Sequence, residues 1–497
     1  MIIYKNASIL ECMSNVRSSA SLLPTLGLFT TTALVVGGII GSGIFKNPAS
    51  MAALVRSPEI LLLVWIGAGI VTVFGALTNA EVTSIIPATG GQYQYFRTMY
   101  GDFTAYIYGW ALFAVIQSGS IASITYVFSY YFHTLWPLPE FSPDVATSIA
   151  LRLPFGTIYP LQEIGIKLLT CAVVILLTVV NYLGVREGGR VQGFFTVAKV
   201  AAILFLVFCA FAFGNGSVTH FTLDATTGPP VGMALIAAVV LTMNKALWAY
   251  DGWNNITYVA GEIRQPQRTI PKALMIGTGT VIVVYILINL AYLYVMPIDQ
   301  MATSESVAAD TALRSVGAWG LTFVSVAVMI ATLGTSNGTI LVSSRVYYAM
   351  AKEKMFFRSV GHVHPRFHTP SRSLIWQCVW TCVLIFTGTF DMLTEMLIFV
   401  SWAFYALGAY GVFILRKRMP DAPRPYKVWG YPYVPIIFIA FALVFLVFSI
   451  WADVDNYNTR SALGEEPILN TVYGAVLLLT GVPFYWLFKR SKTSDQA

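Results

Sequence analysis

The chain has 497 residues, of which 57% are hydrophobic and only 11% are charged, and its mean hydropathy is +0.70. Soluble globular domains carry about 25% charged residues, so this composition excludes an ordinary soluble protein and indicates a polytopic membrane protein. The net charge of +7 does not indicate a nucleic-acid partner, because the basic residues lie in short connections between apolar segments, where they set the orientation in the lipid bilayer.

Apolar segments of about 20 residues, the length that crosses the hydrocarbon core, recur along the whole chain. We therefore expect an all-α fold with twelve membrane-spanning helices. The predicted spans are 26–54, 58–86, 103–133, 161–183, 190–214, 232–260, 272–297, 318–350, 372–389, 392–416, 432–452 and 469–488.

Lysine and arginine are divided unequally between the two sides of this predicted topology. The side that includes both chain ends holds 22 of the 30, the other side holds five, and Lys46, Lys199 and Lys245 lie within spans. An excess of basic residues marks the cytoplasmic side. We therefore expect a multi-pass protein of the plasma (inner) membrane with cytoplasmic tails at 1–25 and 489–497. Residues 1–25 lack the pattern of a signal peptide.

The first span is interrupted by Gly41-Ser42-Gly43, within the stretch LVVGGIIGSGIFKNPA at 34–49. Glycine weakens a helix interior by about 1 kcal/mol, so this pair favours a break. Unwound backbone at membrane depth is tolerated where it is buried in protein or lines a cavity, which makes the break a candidate binding site. The alternative is close helix packing through the Gly-x-x-x-Gly pair of Gly37 and Gly41.

A second interruption, WAYDGWN at 248–254, lies in the sixth span. Spans one to five and six to ten thus each begin with a broken helix. This arrangement predicts two five-helix repeats of opposite orientation, at 26–214 and 232–416, followed by helices 11 and 12 at 432–488. Broken helices at corresponding places in two halves are typical of the substrate site of a transporter. The interfacial stretch GGQYQYFRTMYG at 90–101 is too short to cross and predicts an amphipathic helix.

The two breaks predict a site for a small zwitterion. Amides at the start of the second half-helix, Ser42 to Ile44, carry partial positive charge and suit a carboxylate. Carbonyl groups of the first half and of the second break suit an ammonium, so the pair is complementary to an α-amino acid. The predicted substrate-binding residues are Ile39, Ile40, Gly41, Ser42, Gly43, Ile44, Trp248, Ala249, Asp251, Gly252 and Asn254.

Several single residues have two interpretations each. Lys199, in the fifth span, either holds the unwound carbonyls where a sodium ion would otherwise lie or extends its ammonium to the interface. Asp251 either caps the second half-helix or contacts the substrate ammonium. Tyr285 is a candidate gate residue, as is Trp248, or else a buried aromatic. Lys46 and Lys245 either line an outer vestibule or are solvated or paired with an outer acid.

The remaining reactive residues do not indicate an enzyme, a metal site or a cofactor. The histidines show no spacing with an acid and a nucleophile, and His362, His364 and His368 suit a solvated inner loop better than a metal site. The five cysteines fall in the amino-terminal tail or in spans, so no external disulfide framework is expected. They are Cys12, Cys171, Cys209, Cys378 and Cys382.

Four stretches resemble the L-type amino acid transporters of the amino acid-polyamine-organocation superfamily. They are GGIIGSGIF at 37–45, RVQGFFTVAKVAAI at 190–203, AYDGWNN with VAGEIRQPQRTIPKAL at 249–274, and SNGTILVSSRVYYAMAKEK at 336–354. The resemblance implies two inverted five-helix repeats and sodium-independent exchange of amino acids. It assigns carboxylate-binding amides to Ser42 and Gly43 and ammonium-binding carbonyls to Ile39, Trp248 and Asp251. It also matches Lys199 and Tyr285 to the lysine of span five and the tyrosine of span seven.

Two departures from this family limit what the resemblance implies. Its animal members usually have phenylalanine and glycine where this chain has Trp248 and Asp251, so substrate preference does not transfer. They also carry a cysteine between spans three and four that links to a glycoprotein heavy chain. Residues 134–160 contain no cysteine, so we expect a single-chain member of the prokaryotic kind with no such partner.

We therefore expect a sodium-independent exchanger of neutral L-amino acids that works by alternating access. The alternative within transport is proton-coupled symport, in which Lys199 or Asp251 would titrate during the cycle. A cationic amino acid or polyamine exchanger is a further alternative. A channel would need a continuous polar stripe along several spans and a membrane enzyme would need a catalytic constellation, and the sequence shows neither.

Overall fold

The computed structural model describes residues 26–87, 90–184, 188–222, 225–226, 228–367 and 369–494. Within these residues, eleven helical segments are long and apolar enough to cross a membrane. A twelfth helix, Ser371–Thr387, has 17 residues and corresponds to the predicted ninth span. The all-α polytopic fold expected from the sequence is confirmed.

The helices are, in chain order, α1 (Leu28–Ile39), α2 (Gly43–Val55), α3 (Pro58–Ile85), α4 (Gln92–Tyr100), α5 (Asp102–Ala111), α6 (Gln117–Leu135), α7 (Pro143–Ala146), α8 (Ile164–Leu183), α9 (Gly188–Phe213), α10 (Met233–Ala249), α11 (Pro266–Val295), α12 (Ile298–Ala302), α13 (Val307–Val316), α14 (Ala318–Lys352), α15 (Ser371–Thr387), α16 (Phe390–Arg418), α17 (Tyr433–Ala462), α18 (Asn470–Leu479) and α19 (Gly481–Ser494). A π-helical turn, Leu112–Ile116, joins α5 to α6, and 3₁₀ segments occupy Val218–Phe221, Trp253–Glu262 and Arg358–Gly361. A short antiparallel hairpin pairs β1 (Leu151–Leu153) with β2 (Gly156–Ile158).

Corresponding spans of the two halves pack against each other. Helix α3 contacts α11, α6 contacts α14, and α8 contacts α15. The broken spans follow the same rule, because α2 contacts α10 and α1 contacts the 3₁₀ segment Trp253–Glu262. Each pair lies five spans apart in the chain, which agrees with a 5+5 fold whose first and sixth helices are discontinuous.

Proline and glycine set several helix boundaries. Helices α3 and α11 begin at Pro58 and Pro266, and proline suits the first turn because the amide that it lacks has no partner there. Gly101 separates α4 from α5 with φ +90°, and Gly317 separates α13 from α14 with φ +77°. Such left-handed backbone favours glycine, so these positions reverse the chain where a side chain would be strained.

The last two spans differ from the prediction. Helix α17 continues to Ala462, ten residues past the predicted end of the eleventh span at residue 452. Hydropathy marks where a helix leaves the hydrocarbon and not where its hydrogen bonds end. Buried Asp453 is satisfied within this extension, since it accepts from the amide and the hydroxyl of Thr471 at 2.9 and 2.7 Å. The twelfth span is interrupted at Thr480, between α18 and α19.

The amphipathic stretch 90–101 forms a helix, as predicted, and α4 docks on the end of α14. Glu353 accepts from the Tyr93 hydroxyl at 2.8 Å and from Arg97 at 2.9 Å. Burial raises the pKa of the Tyr93 hydroxyl, so Tyr93 remains a proton donor. Leu26 pairs through its main chain with the end of the 3₁₀ segment. Its amide donates to the Glu262 carbonyl at 3.0 Å, and its carbonyl accepts from the Arg264 amide at 2.9 Å.

An ion pair with a buried carboxylate joins the end of α16 to α3. Glu81 on α3 is fully buried and accepts two hydrogen bonds from Arg416, at 2.8 and 2.7 Å. The Val428 amide donates to the same carboxylate at 2.7 Å. The connection between α16 and α17 is therefore anchored on the second span.

The predicted tail 1–25, with Cys12, lies outside the described residues, as do His368 and residues 495–497. The predicted tail 489–497 is helical as far as Ser494.

Candidate functional site

The first span is broken at Ile40–Ser42, and Gly43 is already the first residue of α2. The break therefore lies one residue before the predicted Gly41–Gly43. Gly43 lies directly against the second broken helix, because a Cβ there would lie 2.7 Å from the Cα of Ala249. No other residue fits without displacing the second broken helix.

The sixth span is broken at Tyr250–Gly252, between the end of α10 and the 3₁₀ segment Trp253–Glu262. Gly252 has φ +92°, a conformation that suits glycine. A Cβ at Gly252 would lie 2.7 Å from the carbonyl oxygen of Gly38. The two breaks thus meet main chain to main chain.

Both breaks line one small cavity. Eight of the predicted binding residues line it: Ile39, Gly41, Ser42, Gly43, Trp248, Ala249, Asp251 and Gly252. Sequence reasoning missed five others: Gly38, Ser120, Ile124, Asn255 and Thr339.

The start of α2 presents hydrogen-bond donors to this cavity. Ser42 and Gly43 line it, and the first amides of a helix have no intrahelical acceptor. The buried hydroxyl of Ser42 has no partner among the described residues. The positive end of the α2 dipole and these donors together suit a carboxylate.

Tyr285 joins the two breaks from α11. Its hydroxyl lies 3.2 Å from the carbonyl oxygen of Ile39 and 2.9 Å from that of Ala249. Each carbonyl has two lone pairs, so one remains on each for a second donor such as an ammonium. The side chain is fully buried.

Trp248 forms one wall of the cavity. Its ring packs edge-on against Phe390 of α16, with 5.1 Å between the ring centroids. Its carbonyl accepts from the Asp251 amide at 3.1 Å, within the turn of the second break. A ligand in the cavity therefore contacts Trp248 through its side chain more than through its carbonyl.

The Lys199 ammonium lies beside the first break. It donates to the carbonyls of Gly37 and Ile40 at 2.9 and 2.8 Å and to the Thr335 hydroxyl at 2.8 Å. Lys199 is only 3% exposed, so the ammonium lies in the interior and not at the interface that the alternative interpretation required. Thr335, on α14, is a further partner that sequence reasoning missed.

The structure does not bring Ile40, Ile44 or Asn254 to the cavity. The Ile40 carbonyl is engaged by Lys199, and the Ile44 carbonyl accepts from Tyr292 at 3.4 Å. The side chain of Asn254 donates to Gln92 at 3.0 Å, and its neighbour Asn255 lines the cavity instead.

Asn254 is part of a buried polar network between the cavity and α4. Gln92 accepts from the Tyr108 hydroxyl at 2.7 Å as well as from Asn254, and the hydroxyls of Tyr108 and Tyr258 are 2.8 Å apart. All four side chains are buried. The network attaches the 3₁₀ half of the second broken span to the amphipathic helix.

Asp251 has a partner that neither interpretation of the sequence included. The Tyr405 hydroxyl of α16 donates to its carboxylate at 2.6 Å, and Asp251 also lines the cavity. A carboxylate has four lone-pair positions, so it can accept further hydrogen bonds while Tyr405 stays in place.

Lys46 and Lys245 lie on the other side of the cavity from α4. The Lys245 ammonium is 2.6 Å from Asp391 and 3.8 Å from Glu395, both on α16. The Lys46 ammonium lies 4.1 Å from the centroid of the Tyr130 ring. Lys245 therefore follows the interpretation that paired it with an outer acid.

Within the part of the chain that the structure describes, no three His, Cys, Asp or Glu side chains are arranged to hold a metal ion. Cys171, Cys209, Cys378 and Cys382 are free thiols.

Residues 26–477 match the family described as amino acid permease. The chain is 31% identical over 474 residues to the b(0,+)-type amino acid transporter 1 of Mus musculus, covering 95% of this chain and 89% of that one. It is 31% identical to the large neutral amino acids transporter small subunit 2 of Homo sapiens (93% and 80% covered). It is 30% identical to the serine/threonine exchanger SteT of Bacillus subtilis (strain 168) (94% and 98% covered). These similarities confirm the resemblance seen in the motifs, and the chain belongs to the amino acid permease family.

Proposed function

We propose that the protein exchanges neutral L-amino acids across the membrane by alternating access. The observation that carries this proposal is the meeting of the two broken spans around one small cavity. Amides of Ser42 and Gly43 line one part of that cavity, and carbonyls of Ile39 and Ala249 lie at another. A zwitterion places its carboxylate at the first and its ammonium at the second. The relative from Bacillus subtilis is named as an exchanger.

Exchange independent of sodium is supported by the position of Lys199. Its ammonium takes two main-chain carbonyls and one hydroxyl, which are the oxygen ligands that an alkali cation would need. An amino group tethered to the chain there holds the first break in shape without a dissociable ion. Tyr285 contacts the main chain of both breaks. It is proposed as a gate residue whose hydroxyl must release one of these two contacts during transport. Trp248 is proposed as the gate residue on the other side of the cavity.

The protein is proposed to work in the plasma (inner) membrane as a single chain, with both termini in the cytoplasm and the two repeats at 26–214 and 232–416. The distribution of basic residues supports the orientation. The absence of cysteine from residues 134–160 supports independence from a disulfide-linked partner. No catalytic role is proposed.

Reconstituted liposomes test the proposal. We expect labelled alanine to enter liposomes loaded with unlabelled alanine, at the same rate in sodium and in potassium buffer, and not to enter empty liposomes under an inward proton gradient. Entry into empty liposomes only under the gradient would instead establish proton symport. Liposomes without protein are the control.

A further inference from the structure

We propose that Asn255, oriented by Gln117, hydrogen-bonds the substrate side chain, so that the carrier prefers short side chains bearing an oxygen atom. This inference rests on the proposed function and adds to it the class of amino acid.

Asn255 has one end of its carboxamide engaged and the other open. Gln117 donates from Nε2 to its Oδ1 at 3.2 Å, so Nδ2 is directed elsewhere. Nδ2 lies 3.5 Å from the place where a Cβ at Gly252 would be, which puts it beside the second break. Asn255 lines the cavity and is partly exposed there. Within the described residues Nδ2 has no acceptor, so a ligand in the cavity can supply one.

Gln117 reaches Asn255 because of an irregularity in the third span. The π-helical turn Leu112–Ile116 ends directly before Gln117. Such a turn holds an extra residue and rotates the side chains that follow it, and it occurs frequently at functional sites. Gln117 is only 6% exposed, and a buried amide retains a hydrogen-bond partner because losing it is costly. Gln117 is thus a positioning residue for Asn255.

The rest of the cavity wall indicates a short and polar side chain. Ser120 of α6 and Thr339 of α14 line it alongside Asn255. The Thr339 hydroxyl donates to its own helix at 2.9 Å, which leaves its lone pairs free to accept. Trp248, backed by Phe390, limits the length available. Hydroxyl groups fit these surroundings, whereas an apolar isostere leaves the Asn255 donor unpaired at a cost in affinity.

Threonine and valine are the sharpest pair of probes, because they have nearly the same shape and differ in one hydroxyl. We expect threonine to inhibit the exchange of labelled alanine at a concentration about fivefold lower than valine, the effect of one net hydrogen bond. In Asn255→Leu the two should inhibit equally, because the donor is gone and the side-chain size is kept. Gln117→Leu should reduce the ratio partially, since Asn255 is then free to turn.

Asn181→Leu on α8 is the matched control, since that buried amide contacts Leu177 and Asn337 and does not line the cavity, and its threonine-to-valine ratio should equal that of the unmodified protein. The ratio is taken within each variant, so changes in folded fraction cancel. A variant that binds without transporting is compared by thermal protection with threonine and with valine. An unchanged ratio in Asn255→Leu, or a preference for valine in the unmodified protein, would overturn the inference while leaving exchange intact. Failure of the unmodified protein to exchange alanine would instead overturn the proposed function.

Discussion

At the scale of single residues, Lys199 gives the clearest prediction. Replacing it with alanine leaves two buried carbonyls and a hydroxyl without their shared donor, and each unsatisfied group costs about 1–3 kcal/mol. We expect Lys199→Ala to exchange alanine at least about tenfold more slowly, which corresponds to about 1.4 kcal/mol, while it elutes from gel filtration as the unmodified protein does.

Lys167 is the matched control for Lys199. It is equally buried and its ammonium also donates to two carbonyls, those of Tyr159 and Pro160 at 3.1 and 3.2 Å. These carbonyls lie outside both breaks, so Lys167→Ala should affect stability without a selective loss of exchange. Equal losses in the two variants, or full exchange in Lys199→Ala, would contradict a role for Lys199 in the transport cycle.

The candidate residues that depend on main chain could be predicted from the sequence, and those that depend on side-chain direction could not. Glycines at 41, 43 and 252 identify the breaks because glycine is what a helix interior tolerates poorly. Asn255 and not Asn254 lines the cavity, in a segment after Gly252 that is a 3₁₀ helix with a tighter turn than an α-helix. Thr335 and Thr339 lie four residues apart in an apolar span, a spacing that puts two hydroxyls on one helix face and indicates a polar site there.

At the scale of elements, the buried network of Gln92, Tyr108, Tyr258 and Asn254 is expected to hold the 3₁₀ segment closed against α4. Gln92→Leu removes the acceptor of two buried donors, Tyr108 and Asn254. We therefore expect the amides of Trp253–Glu262 to exchange hydrogen for deuterium at least several-fold faster in this variant, with those of α10 unchanged, as measured by mass spectrometry.

Gln94→Leu tests whether any glutamine of α4 has this effect. The Gln94 amide donates to Glu353 at 3.3 Å, outside this network. Hydrogen exchange in Trp253–Glu262 should therefore stay as in the unmodified protein. If Gln92→Leu also left hydrogen exchange in that segment unchanged, the network would contribute packing and would not hold the segment against α4.

Element boundaries followed the sequence where a proline, a glycine or a change of hydropathy coincided with the end of hydrogen bonding. The starts of α3 and α11 at prolines are examples. The extension of α17 and the interruption at Thr480 could not be predicted, because the hydropathy of a segment does not report its backbone geometry. The π turn at Leu112–Ile116 is of the same kind, because its five apolar residues read as ordinary helix.

At the scale of the whole molecule, α16 is tied at its start to α10 and near its end to α3. Asp391 at its start pairs with Lys245 of α10, and Arg416 near its end pairs with Glu81 of α3. Removing buried Glu81 also leaves the Val428 amide without its acceptor, and an unsatisfied buried group costs about 1–3 kcal/mol. We expect Glu81→Leu to lower the Tm of the protein in detergent by several degrees.

Glu59→Leu is the comparison for that measurement, because Glu59 lies on the same helix but is exposed at its first turn. Its Tm should match that of the unmodified protein. A Glu81→Leu protein as stable as the parent would mean that Arg416 finds another partner and that its ion pair with Glu81 does not hold α16 in place.

The direct contact of Gly38 with Gly252, and of Gly43 with Ala249, separates two tasks under the proposed function. The carboxylate and ammonium groups that all amino acids share would be bound by peptide groups, which a point mutation scarcely alters. The substrate side chain would be recognised by a few side chains of the protein. Substrate range can then drift through changes at positions such as Asn255 while the grip persists. Proteins with this arrangement can change the amino acids that they carry without a change in the main-chain site.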